Sequence, residues 1–193
     1  MPPSPFGTRG VEYVFGPAHA PGFKDPPVGS ATAADYTAAL ELVAEHGCFY
    51  LDMARGYGSP EGGYGEGDMG RALAALPSEI RDQMIVSTKA TPGVIEYPIH
   101  TDALDYESVT TQLRTSVEQL GLSSVDIFYL HSVPRPTDRQ CPLEETLRAV
   151  NDLYKEGLFE RFGVSNFPAF GVMQTWYKCK ELGYVLPTVY QGH

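Results

Sequence analysis

Residues 125–131 read VDIFYLH, an almost unbroken apolar run that ends on an imidazole. An alternating pattern would mark a strand with one wet face; a continuous one marks a strand covered on both faces, as in a parallel sheet. The same form recurs on either side. Residues 49–57 read FYLDMARGY and residues 84–90 read MIVSTKA, each an apolar run passing into a polar residue. Further short runs at Val11–Phe15, Phe162–Val164 and Thr188–Tyr190 complete a set of strands that also includes Phe49–Asp52, Met84–Thr88 and Val125–Leu130.

Amphipathic stretches separate these runs. Thr32–Glu45 ends at Gly47, and Met69–Leu76 is stopped by Pro77. Tyr106–Leu120 follows Asp105, a good N-cap, and closes at Gly121. Leu143–Glu156 follows Pro142 and closes at Gly157, and Pro168–Leu182 closes at Gly183. Strands alternating with helices imply right-handed crossovers and a parallel α/β sheet. The expected fold is a parallel (β/α)8 TIM-barrel type in one domain over residues 1–193. A full barrel takes roughly 250 residues, so this chain is expected to be truncated to about six strands and five helices. The first and last strands would then present bare edges for another chain to cover, a second copy being one candidate.

Bulk composition narrows the function. The 193 residues carry a net charge of -10, which disfavours binding a nucleic-acid backbone. Three scattered cysteines, Cys48, Cys141 and Cys179, fit neither a disulfide framework nor a zinc site, and suit the cytoplasm. No secretory leader and no membrane-spanning apolar run are evident.

The polar residues at the strand ends carry the chemistry. Hydride reduction of a carbonyl develops negative charge on oxygen, which needs a proton and nearby donors. Tyr57 is the candidate proton donor, with Lys89 expected to lower its pKa. Asp52 would hold Lys89 charged and oriented, and His131 would hydrogen-bond and orient the substrate oxygen. Each also has an ordinary structural reading: a capping aspartate, a surface aromatic, a snorkelling lysine and a hydrogen-bonded core histidine. One pocket that accounts for all four favours the catalytic reading.

The stretches LDMARGYG, VSTKA, YLH, CPLEETLRAVNDLYKEGLFERFGVSNF and LPTVYQG together resemble the aldo-keto reductases. Within that superfamily the resemblance points to the aflatoxin-aldehyde-reductase-like branch, over Val11 to Gly192. It implies NADPH as hydride donor and a small aldehyde or ketone as substrate. It places the catalytic tetrad on Asp52, Tyr57, Lys89 and His131, and the nicotinamide carboxamide contacts on Ser165, Asn166 and Gln191. Three departures stand out. Met53 replaces a usual threonine; the loop GSPEGGYGEGD is long and glycine-rich; and the family continues past YQG with the segment that holds the rest of the cofactor, with His193 at a usually apolar position. A rival reading follows from the last of these: a catalytically impaired barrel remnant serving as an interaction or oligomerisation module.

Other motifs carry less. Gly65 to Gly70 spells GxGxxG, but no strand directly precedes it and the next strand ends in Thr88-Lys89 rather than an acid. A loop leading into a helix is the expectation there. The five histidines form no HxH or HExxH, so no metal site is expected. Trp176 reads as a packing residue, and Pro134–Pro142 as a simple surface loop, with the lining of a substrate entrance as the alternative.

Overall fold

The four central apolar runs are largely buried on both faces and assemble, with a more exposed strand at each edge, into one sheet. The computed structural model describes residues 13–17, 32–55, 57–59, 63–92, 94–96, 99–101, 104–134 and 140–192. Six parallel strands line up in the order β1 (Val14–Phe15), β2 (Tyr50–Asp52), β5 (Ile85–Ala90), β8 (Val125–Leu130), β9 (Phe159–Ser165) and β10 (Pro187–Gln191). Two small antiparallel pairs lie outside this sheet: β3 (Gly58–Ser59) with β4 (Gly63–Tyr64), and β6 (Val94–Glu96) with β7 (Ile99–Thr101). The main sheet, with its six helices, is a half-barrel. Among the described residues, the outer edges of β1 and β10 carry no further strand.

Helices α1 (Ala33–Glu45), α2 (Gly65–Ala75), α3 (Ser78–Arg81), α4 (Tyr106–Leu120), α5 (Leu143–Lys155) and α6 (Ala169–Leu182) connect the strands or precede them. Local chemistry sets their ends. Thr32 and Asp35 form a reciprocal capping box at the start of α1, and the Asp105 side chain accepts from Ser108 N–H at the start of α4. Gly47, Gly121, Gly157 and Gly183 all take positive φ where helices close, as their sequence positions predict. The core gathers Phe128, Phe162, Leu51 and Leu130 from the sheet with Leu113, Leu120, Leu147 and Leu153 from the helices.

Two expectations need correction. The glycine-rich stretch is not a loop up to Met69: α2 begins at Gly65, whose N–H donates to Tyr57 C=O. Buried hydrogen bonds donated to the Glu66 carboxylate by Arg55, Thr88 and Ser116 hold this first turn against the low helix propensity of glycine. The short α3 after Pro77 is also absent from the sequence reading, because one turn leaves no periodicity to detect. The beginning of the first predicted strand, at Val11, the middle of the Pro134–Pro142 loop and His193 lie outside the described residues.

Gly70 is where α2 meets α4. A Cβ there would sit 2.0 Å from Gln119 C=O and 2.9 Å from the Leu120 backbone. Gly70→Ala is therefore expected to lower stability by about 2 kcal/mol or more in urea unfolding. Gly67→Ala on the same helix meets only ordinary contacts and is expected to be neutral or to gain up to ~1 kcal/mol.

Candidate active site

The four candidate catalytic residues come together at the C-terminal end of the sheet. Asp52 closes β2, Lys89 is next to last on β5, and His131 follows β8 directly. Tyr57 lies beyond β2, but its segment remains tied to the sheet. Met53 N–H donates to Ser87 C=O and Arg55 N–H to Lys89 C=O, so the parallel ladder continues past the end of β2.

Lys89 is the centre of the site and is 1% exposed. Its ammonium has three protons. Its Nζ lies 2.8 Å from Asp52 Oδ2, 2.8 Å from Met53 C=O and 3.2 Å from Tyr57 OH, so all are used. The Asp52 carboxylate is filled too: Ser87 Oγ donates to Oδ1 at 2.6 Å, and Gln191 Nε2 donates to Oδ2 at 2.8 Å. Because Tyr57 OH accepts from Lys89, its own proton points away from the ammonium. The Tyr57 and His131 rings meet edge to face with centroids 5.4 Å apart. Tyr129, the register partner of Lys89 on β8, lies 5.9 Å from Lys89 Nζ, its ring crossing Gly163, where a Cβ would stand 2.4 Å from the ring.

The electrostatics differ from the sequence expectation. Lys89 does not depress Tyr57. Burial, and then the Asp52 charge, push the phenol up to about 12. The physical reason is the Asp52–Lys89 ion pair, which leaves little net positive charge facing the phenol. Burial in turn lowers the Lys89 pKa, an effect opposed by Asp52.

The proposed carboxamide contacts also converge here. Asn166 adopts φ 58°, a left-handed conformation that asparagine tolerates better than most residues. Its N–H bonds to Gln191 C=O, and its Nδ2 reaches His131 C=O at 3.0 Å and Ser165 Oγ at 2.9 Å. The Asn166 and Gln191 amide oxygens accept no hydrogen bond from the described residues.

A second polar cluster escaped the sequence reading. Arg55 and Glu66, both 0% exposed, form an ion pair at 2.7 Å. Arg55 also donates to Gln119 Oε1, while Thr88 and Ser116 donate to Glu66. This network lies on the opposite face of β5 from Lys89, because side chains alternate along a strand. It clamps the segment between Asp52 and Tyr57. No sequence signal was available, since Glu66 sits in a run that reads as loop and its partners are distant in the chain.

A parallel βα sheet with an acid, a phenol, an ammonium and an imidazole gathered at its C-terminal strand ends has its polar cluster where barrel folds carry their active sites. Residues 15–193 match the aldo/keto reductase family model, and the chain belongs to that family. It is 42% identical over 107 residues to human aflatoxin B1 aldehyde reductase member 4, covering 55% of this chain and 29% of that protein. The mouse aflatoxin B1 aldehyde reductase member 2 is 36% identical over 163 residues, 84% of this chain and 40% of its own length. Aldo-keto reductase pigE of Monascus ruber is 36% identical over 164 residues, 83% of this chain and 44% of that protein. The chain thus spans less than half the length of each of these relatives. The crystal structure of the thermostable aldo-keto reductase Tm1743 superposes with a TM-score of 0.66 at 23% identity, over 84% of this chain and 51% of that one, a likeness of fold.

Two outcomes are expected from this geometry. Glu66→Gln removes the carboxylate charge paired with the buried Arg55 guanidinium at 2.7 Å and is expected to cost about 3–5 kcal/mol in denaturant unfolding. In alkaline titration followed by phenolate absorbance, Tyr57→Phe is expected to remove a phenol that ionises near pH 12. The folded phenol holds its proton more tightly than the unfolded one at 10.0, so its stabilising contribution is complete below pH 10 and fades as pH rises through about 12.

Proposed function

We propose that this chain carries the catalytic half of an NADPH-dependent oxidoreductase that reduces a small aldehyde or ketone to an alcohol in the cytoplasm, within one partial barrel domain. The observation that carries this reading is the fully engaged Lys89 ammonium, which takes Tyr57 OH as its third acceptor and so turns the phenolic proton outward. When bound, NADPH supplies a hydride to the carbonyl carbon. Ser165, Asn166 and Gln191 fit its nicotinamide carboxamide. A primary amide needs both donors and acceptors, and these residues offer amide oxygens and a serine hydroxyl beside Asp52 and His131.

The chain's own residues would handle the oxygen. His131 donates a hydrogen bond that orients it, and Tyr57 transfers its proton as the carbon–oxygen double bond becomes single. A phenol held at about 12 stays protonated at neutral pH, yet it is far more acidic than the alcohol formed, so transfer is downhill. The phenolate left behind faces Lys89 Nζ at 3.2 Å and recovers a proton from solvent. Asp52 keeps the buried ammonium charged throughout.

A second reading has its own support. Phe170, Met173 and Tyr177 form an exposed apolar stripe on α6 at helical spacing, and β10, which carries the exposed Tyr190, has no outer neighbour among the described strands. These features suit a barrel remnant that covers its open side with a second copy of itself. Light scattering tests it, and a well-behaved monomer with no tendency to bind an apolar dye removes it.

For the main reading, fluorescence titration is expected to show micromolar NADPH binding. With an activated aromatic aldehyde, Tyr57→Phe is expected to lose roughly 10²–10⁴-fold in kcat while retaining NADPH affinity. Equal rates for the two proteins remove Tyr57 from the mechanism.

A further inference from the structure

The end of β5 carries a residue that neither the sequence motifs nor the proposed chemistry uses. Thr91 follows the last strand residue, Ala90, where its backbone has lost a neighbouring strand to bond. The Gln112 side chain supplies that partner. Gln112 is 3% exposed on α4; it accepts from Thr91 N–H at 2.9 Å and donates from Nε2 to Thr91 C=O at 3.3 Å. One carboxamide therefore pins both backbone groups of Thr91. A β-branched side chain on a pinned backbone has little rotamer freedom, and Thr91 Oγ1 stands 2.7 Å from His131 Nδ1.

His131 is fixed independently. Its N–H donates to Ala90 C=O, its C=O accepts from Asn166 Nδ2, and its ring packs against Tyr57. The ring therefore presents Nδ1 to Thr91 and keeps Nε2 for its other side. A threonine hydroxyl can donate or accept, and a neutral imidazole has one nitrogen of each kind. Among the described residues Nδ1 is the acceptor within reach of the Thr91 hydroxyl proton. Donation to Nδ1 uses that proton, whereas acceptance from an Nδ1–H would leave it without a partner among the described residues.

We propose that Thr91, pinned by Gln112, is a positioning residue that donates to His131 Nδ1 and so locks the imidazole in the Nε2–H tautomer. The inference deepens the proposed function, because an Nε2–H can donate to a carbonyl oxygen and a bare Nε2 cannot. Gln112, Thr91 and His131 form a relay from a buried helix face to the site in which only the last member touches substrate.

Tautomers are read directly by nitrogen-15 NMR of the histidine rings in the unliganded chain, with no turnover needed. Wild type is expected to show His131 with a protonated Nε2 and an unprotonated, hydrogen-bonded Nδ1. Thr91→Val keeps the shape but removes the hydroxyl, and is expected to shift the ring toward a mixture of tautomers. Thr91→Ser is expected to restore the wild-type pattern. In turnover, Thr91→Val is expected to lose about tenfold in kcat/KM for the carbonyl substrate with NADPH affinity unchanged. A wild-type ring carrying its proton on Nδ1 overturns the proposal, as does a Thr91→Val ring still wholly in the Nε2–H form. An inactive chain with the expected NMR pattern instead counts against the catalytic reading alone.

Discussion

The buried pairing of Lys89 with Asp52 is the constraint around which the site is built. An ammonium that is 1% exposed survives in the interior only if every proton has an acceptor and an opposite charge stands close by. Three groups from β2 and the segment after it meet these needs. Asp52 comes from the end of β2, Met53 C=O from the residue after it, and Tyr57 OH from the segment beyond. The position of the phenol is thus a consequence of satisfying a lysine. Gln191, far away in sequence, completes the carboxylate and draws the end of β10 to the same point.

Neutralisation within this pair decides what sort of acid Tyr57 is. Viewed one pair at a time, a lysine beside a tyrosine should favour phenolate. With the carboxylate 2.8 Å from the ammonium, the phenol faces a dipole rather than a bare positive charge, and burial prevails. The result is a reservoir that holds its proton at neutral pH. In the reaction we propose, the Lys89 hydrogen bond acts after transfer, when charge appears on the phenolic oxygen.

Strand β5 separates two polar systems. Ser87 and Lys89 face one side and meet Asp52; Thr88 faces the other and meets Glu66. Arg55 is bonded to the Lys89 backbone and to Glu66, so the second network grips the short segment that carries Tyr57. A rigid outer clamp of this kind is what a small hydrogen-bonded cluster needs, since misplacement by an ångström weakens its hydrogen bonds. The close approach at Gly70 brings α2 and α4 near enough for Glu66 to reach Ser116 and for Arg55 to reach Gln119.

Sequence by itself determined the parallel half-barrel, because a strand covered on both faces must be apolar along its length and four of the helices close at glycines that accept positive φ. The run of Tyr106–Leu120 between Asp105 and Gly121 was legible to the residue for this reason. It also determined that Asp52, Lys89 and His131 lie at strand ends, since period and polarity are local properties. Only the tertiary structure decided the rest. The Arg55–Glu66 clamp, the hold of Gln112 on Thr91, the contact of Thr91 with His131 and the raised Tyr57 pKa all depend on groups brought together from separate elements. Hydrogen-bond partners and local dielectric are properties of space rather than of sequence order, so no local pattern in the chain encodes them.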